Sequence, residues 1–217
     1  MEKVIAQSHE ARDIICHQFG EGGQPLLLIG GVHGDEPEGF LFVERFMQEK
    51  LWPADKGALY VLPRMNPDGC VANQRQNSKG VDLNRNMATK DWNPEAAKPR
   101  YFPGKSPNSE PETKALISLV EQINPALIIS VHSWEPMINY NGDCLEVAKL
   151  MATYNNYRIS DDIGYPTPGS LGTWAGWERE IPTITLEIER GLSAEKAWEL
   201  HKEPVLQALL AKSSPKS

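Results

Sequence analysis

The sequence predicts an α/β protein, a single domain in which a mixed, largely parallel and twisted sheet is flanked by helices. Three observations predict it. Apolar runs alternate with amphipathic segments along the chain. The apolar runs are short and rich in Leu, Ile and Val, as buried strands are. The 217 residues suffice for one sizeable core, and a second domain is not expected.

The runs at Leu26–Ile29, Ala58–Leu62, Ala126–Val131 and Thr183–Ile188 read as strands. Helical spacing begins at Pro37, with apolar side chains at Phe40, Val43, Met47 and Leu51. A second helix is expected from Ser109 to Ile123, where Ser109 and Glu112 have the spacing of a capping box. Asp143 is placed to cap a helix through Leu145, Ala148 and Met151. Ser193 is placed to cap the last one, through Trp198, Val205 and Leu209, before a polar tail at about 212–217. Between residues 87 and 108 four prolines mark a long irregular loop, and loops of that length in a compact domain are often functional. No repeat or low-complexity block interrupts the pattern.

The formal charge of −7, with no basic stripe, argues against nucleic acid or an anionic membrane as partner. The N-terminal segment lacks the continuous apolar core of a signal peptide, and no apolar run is long enough to span a bilayer. Cys16, Cys70 and Cys144 are odd in number and widely spaced, which predicts free thiols and a cytoplasmic protein.

The chemistry gathers at strand ends. GGVHGDE (30–36) follows the first buried run and carries His33 three residues before Glu36. Alone, that pair is as well explained by a turn that happens to contain a histidine. ALIISVHS places His132 at the end of another buried run, so two histidines hold equivalent positions, and α/β sheets bind ligands beyond the carboxyl ends of their strands. Two imidazoles and one carboxylate, with a fourth position open, are the donor set of a catalytic zinc. His9, His17 and His201 are expected to be surface or packing residues.

A metal-activated water needs a carboxylate base. TITLEIER offers Glu187 and Glu189, two apart and on one strand face, and periodicity does not choose between them. NPDG (66–69) fits ordinary turn chemistry. GVDLNRN (80–86) does not, and with Arg75 it supplies the makings of a cationic cradle at Asn84, Arg85 and Asn86.

In this order, HGDE, NPDG, GVDLNRN, VHS (131–133) and TLE (185–187) resemble the zinc metallocarboxypeptidases, over most of residues 25–190. NPDGC, SEPETKAL and GYPTPGSLGTW bring the chain closest to the members that cleave murein peptides. The resemblance implies a carboxypeptidase-like fold and one zinc ion held by His33, Glu36 and His132. It selects Glu187 as general base and aligns Arg75 with the arginine that stabilises the oxyanion. It implies that Asn84 and Arg85 grip a substrate carboxylate, that Asp82 orients a zinc-binding histidine (His33), and that Tyr165 contacts substrate. The implied substrate is a small peptide, a murein tripeptide cut between γ-D-glutamate and meso-diaminopimelate in cell-wall recycling. Glu189 is then a candidate for the diaminopimelate amine, or an ion-pair partner of Arg190. Three alternatives stay open: a carboxypeptidase for α-linked peptides, a deacylase of the aspartoacylase and succinylglutamate desuccinylase kind, and a non-catalytic peptide-binding module. Oligomeric state is not legible.

Overall fold

A computed structural model describes residues 1–213. Its sheet has eight strands: β1 (Glu2–Gln7), β2 (Asp13–Phe19), β3 (Leu26–Ile29), β4 (Leu59–Leu62), β5 (Leu127–Trp134), β6 (Met137–Asn141), β7 (Arg158–Ser160) and β8 (Thr183–Glu189). They lie in the order β1-β2-β4-β3-β5-β8-β6-β7. The centre, β4-β3-β5-β8, is parallel throughout, and β1, β2 and β6 join antiparallel.

The four-residue run of β3 shows why the centre holds. It is fully buried on both faces, and the pleat sends Leu26 and Leu28 one way and Leu27 and Ile29 the other. The first face is covered by α1 (Pro37–Gln48), α4 (Leu145–Asn155) and α5 (Ala194–Lys212), through Phe42, Val43, Phe46, Met151, Trp198 and Leu209. The second is covered by α3 (Pro111–Ile123) through Leu116, Leu119 and Val120, and by Trp174 in a π-helical turn at Gly172–Trp177. No helix among the described residues is long and apolar enough to cross a membrane.

Several boundaries differ from the sequence expectation for identifiable reasons. β5 continues past Val131 to Trp134, so His132 lies within the strand and not at its end. α1 stops before Leu51, at a turn where Lys50 adopts a positive φ of 51°. Ser109 and Glu112 form no capping box. Pro111 occupies the first turn and restricts the preceding Glu110 to extended backbone, so Glu110 is the N-cap, and the Ser109 hydroxyl donates to the Glu110 carboxylate instead. Asp143 does not cap α4, whose N-cap is Cys144 with no side-chain cap bond. Ser193 does cap α5, accepting from the Lys196 amide. NPDG is more than a turn: Asn66 caps α2 (Pro67–Ala72) by accepting from the Gly69 amide. The polar N-terminal stretch forms the hairpin β1–β2, in which Ile14 and Cys16 supply one apolar face. α5 runs to Lys212, and the expected polar tail lies, from residue 214 on, outside the described residues.

Candidate metal centre and active site

His33 and Glu36 reach the site from the loop after β3. Gly31 turns the chain off the strand with φ of +63°, a conformation open to glycine at little cost. Gly34 then presses on α2: a Cβ there would lie 1.9 Å from the Gly69 carbonyl carbon. The glycines of HGDE and NPDG are thus packing partners, which fixes the loop that carries His33. Glu36 is the N-cap of α1, with Pro37 following it in the first turn. His132 comes from β5, where its register partner on β8 is Glu187, and partners in parallel strands present side chains to one face.

These groups converge in a dry environment, with His33, Glu36, His132 and Glu187 each at most 5% exposed. The Glu36 carboxylate bridges the imidazoles, its Oε1 2.9 Å from His33 Nδ1 and its Oε2 2.9 Å from His132 Nδ1. The two Nδ1 atoms are 3.1 Å apart. Behind them, His33 Nε2 is 3.1 Å from Asp82 Oδ1, and His132 Nε2 is 3.0 Å from the Ser130 hydroxyl. Burial alone would raise the Asp82 carboxyl, but Arg75 and His33 hold it below the usual carboxylate range. An ionised Asp82 only accepts, so His33 Nε2 carries the hydrogen and Nδ1 offers its lone pair to the centre.

The donor chemistry fits a cation. The nearest donor atoms of the two imidazoles and the carboxylate lie within 4.8 Å of one another. Lone pairs so placed repel unless a positive charge lies among them, and two nitrogens with one carboxylate are a set that zinc accepts. Glu187 stands beside them with its Oε2 buried and without a hydrogen-bond partner. Burial pushes its pKa up to about 7, with the Glu36 charge adding to the effect and His132 and Arg75 opposing it.

The walls come from GVDLNRN and the proline-rich loop. Arg75 donates from Nε to Asp82 Oδ2 at 2.9 Å, and its Nη1 lies 3.4 Å from Glu36 Oε1. The Asn84 backbone N–H donates to Asp82 Oδ1, while its side-chain oxygen accepts from Leu171 N, which fixes the side chain's orientation. Arg85 donates to the Asn84 carbonyl and lies over the rings of Tyr101 and Tyr165, themselves stacked 6.2 Å apart. Asn86 holds the loop in place from behind, donating to the Pro103 and Ser106 carbonyls. Of the residues named from sequence, His33, Glu36, Arg75, Asn84, Arg85, His132, Tyr165 and Glu187 line a single pocket, Asp82 sits behind His33, and Asn86 and Glu189 are not part of its lining.

Other parts of the pocket were not foreseen. Arg100 and Tyr101 line it from a 3-10 turn in the proline-rich loop, whose length was their one sequence signal. Arg190 also lines it, within 3.7 Å of Glu36 Oε1 and 3.6 Å of Asp35 Oδ2. Glu189 is exposed at the end of β8, where its backbone amide meets the Tyr157 hydroxyl, so Arg190 turns to Asp35 and Glu36 instead. His201, expected to be a surface or packing residue, is fully buried beside Tyr157.

A family model described as zinc carboxypeptidase matches residues 1–147. Murein peptide amidase A of Vibrio campbellii is 32% identical over 195 residues, which cover 84% of this chain and 76% of that protein. The protein of the same name from Escherichia coli K12 is 32% identical over 190 residues, covering 80% and 74%. Among solved structures, murein-tripeptide amidase MpaA from Escherichia coli O157 superposes with a TM-score of 0.83 at 27% identity, covering 100% of this chain and 93% of that one. Thrombin-activatable fibrinolysis inhibitor gives the same TM-score at 20% identity over 97% of this chain and 68% of that one, a likeness of fold alone.

Proposed function

The chain belongs to the zinc carboxypeptidase family and is a zinc-dependent hydrolase of amide bonds, and from that premise we propose that it cuts murein peptides between γ-D-glutamate and meso-diaminopimelate. Two relatives at 32% identity carry the name murein peptide amidase A, and a solved structure of the same fold is a murein-tripeptide amidase. The observation that carries the reading is the character of the pocket that opens off the metal centre. Asn84 and Glu187 line both spaces, and the second is walled by Asn139, Asn141, Thr185 and the carboxylates of Asp161 and Asp162. These largely polar walls, completed by Ile163, Pro166 and Trp177, suit a side chain ending in both an amine and a carboxylate, as that of diaminopimelate does.

His33, Glu36 and His132 would hold the zinc, through both Nδ1 atoms and the carboxylate. Bound there, zinc supplies Lewis acidity, lowering the pKa of a water from about 15.7 toward about 7 and polarising the amide carbonyl. The protein does the rest. Glu187 takes the water's proton on Oε2 as the oxygen attacks the amide carbon, then delivers it to the leaving nitrogen as the C–N bond breaks. Arg75, held by Asp82, donates to the carbonyl oxygen as its charge grows. Asn84 and Arg85 bind a carboxylate of the departing amine, and Tyr165 with Tyr101 forms an aromatic wall against it. The same reading puts the enzyme in the cytoplasm, in cell-wall recycling, in keeping with the free thiols of Cys16, Cys70 and Cys144.

The test offers the purified zinc form L-Ala-γ-D-Glu-meso-diaminopimelate and, separately, an α-linked peptide of matched length. Release of diaminopimelate from the first alone is expected. Cleavage of the α-linked peptide alone overturns the reading in favour of an ordinary carboxypeptidase.

A further inference from the structure

We propose that Arg190, assisted by Arg100, binds a free carboxylate on the acyl side of the scissile amide and so selects γ-linked glutamate over α-linked residues. The proposal deepens the function given above and rests on it.

Four arginines line the metal pocket of a chain whose formal charge is −7. Two already have work. Arg75 is matched by Asp82, and Arg85 lies over Tyr165 beside Asn84. The other two share one anion: Arg100 Nη2 and Arg190 Nη1 lie 3.7 and 3.6 Å from the same Asp35 Oδ2. A single carboxylate does not neutralise two guanidiniums. Arg190 also lies near Glu36, whose charge belongs to the metal centre, so positive charge is left over at the rim. Both side chains are open to solvent, 50% and 43% exposed, so that charge is accessible. Arg190 is nevertheless positioned: its Nε donates to the Ser133 carbonyl at 3.4 Å, one residue from His132.

The placement says which part of a substrate this charge would meet. The polar pocket proposed for diaminopimelate opens off the metal centre on the side of Asn84 and Glu187, and neither Arg100 nor Arg190 borders it. Both line the metal pocket beside Asp35 and Ser133, and with the amine half entering the second space the acyl half is left to them. In a γ-glutamyl amide that half carries a free α-carboxylate, a short aliphatic chain away from the carbonyl being attacked. An ordinary α-linked residue has its carboxyl consumed by the bond and offers no such group. A guanidinium fork matches a carboxylate in two parallel hydrogen bonds, and Asp35 keeps the two guanidiniums close to one another.

The test uses the zinc-loaded protein with two tripeptides: L-Ala-γ-D-Glu-meso-diaminopimelate, and the same peptide with the glutamate α-carboxylate converted to an amide. For the wild type we expect the amide to lower kcat/KM by roughly tenfold or more, since a hydrogen bond to a charged group contributes about 1.5–3 kcal/mol. In Arg190→Gln the ratio between the two peptides should fall toward one, and Arg190→Lys should restore part of it. A second readout is binding of the dipeptide L-Ala-γ-D-Glu and its α-amide to the Glu187→Gln protein by calorimetry. There Arg190→Gln, added to that variant, should weaken the free acid and leave the amide alone. Equal handling of acid and amide by the wild type overturns the proposal, as does an Arg190→Gln variant that slows both peptides by the same factor. If the wild type cleaves neither peptide, the murein reading has failed, and the dipeptide binding still decides the role of Arg190.

Discussion

His132 and Glu187 are register partners across the parallel pairing of β5 and β8, one presenting a ring nitrogen to the metal centre and the other an oxygen with no partner. The proposed ligand and the proposed base come from neighbouring strands of one sheet, so their spacing does not depend on loop conformation. Glu187→Gln keeps the volume and removes the proton acceptor. Turnover is expected to fall about 10²–10⁴-fold, the range of general acid–base catalysis, with one zinc still bound per chain by elemental analysis. Undiminished activity would remove Glu187 as the base.

Asp82 orients the imidazole of His33 and anchors Arg75 at once. Asp82→Asn keeps the shape but removes the charge that fixes the His33 hydrogen on Nε2. Competition with a zinc chelator should show affinity weaker by about 10–100-fold. An unchanged affinity would mean that His33 is oriented by packing alone.

Gly34 has no room for a side chain. In Gly34→Ala the new Cβ would start 1.9 Å from the Gly69 carbonyl carbon, so the HGDE loop and α2 must separate. Thermal and urea unfolding should show a loss of about 1–3 kcal/mol, the usual cost of overpacking, together with weaker zinc binding because His33 moves with the loop. Stability lost without any change in zinc affinity would uncouple the two.

His201 is fully buried, and burial pushes its pKa down to about 4. The unfolded chain, with an ordinary histidine near 6.5, binds more protons than the folded one between those values. Stability from this residue is therefore full above about pH 6.5, declines as the pH falls, and levels off below about 4. A difference of about 2.5 pH units sets a ceiling of about 3 kcal/mol on that decline. Urea unfolding of His201→Gln across this window should show a flatter pH dependence than the wild type, and parallel curves would assign the decline elsewhere.

Much of the central sheet was legible because its strands are buried on both faces and so are spelled in uninterrupted Leu, Ile and Val. The flanking strands were not. β1 has no fully buried residue, β2 buries one face, and β6, as MINYN, mixes Met137 and Ile138 with asparagines that line a pocket. Helix starts failed where proline and tertiary contacts competed with local capping, as at Glu110. The candidate metal donors were recognisable because histidine is scarce and two of the five, His33 and His132, follow closely on apolar runs spelled as buried strands. Arg190 was not, since a guanidinium's partner cannot be read from its neighbours in sequence. Glu189 is adjacent to it and exposed, while Asp35 lies far along the chain and close in space.

The sequence by itself determined the α/β class, the family and the residue types of the metal centre, because hydrophobic patterning and motif chemistry are local. Tertiary structure alone decided which ring nitrogens face the centre and that two arginines share one aspartate at its rim. Each of these depends on distances between segments far apart in the chain, set by strand register and by the close approach of Gly34 to Gly69. GGVHGDE shows the division most clearly. Its letters name two donors, and only the fold brings His132 within 3.1 Å of His33 to complete the set.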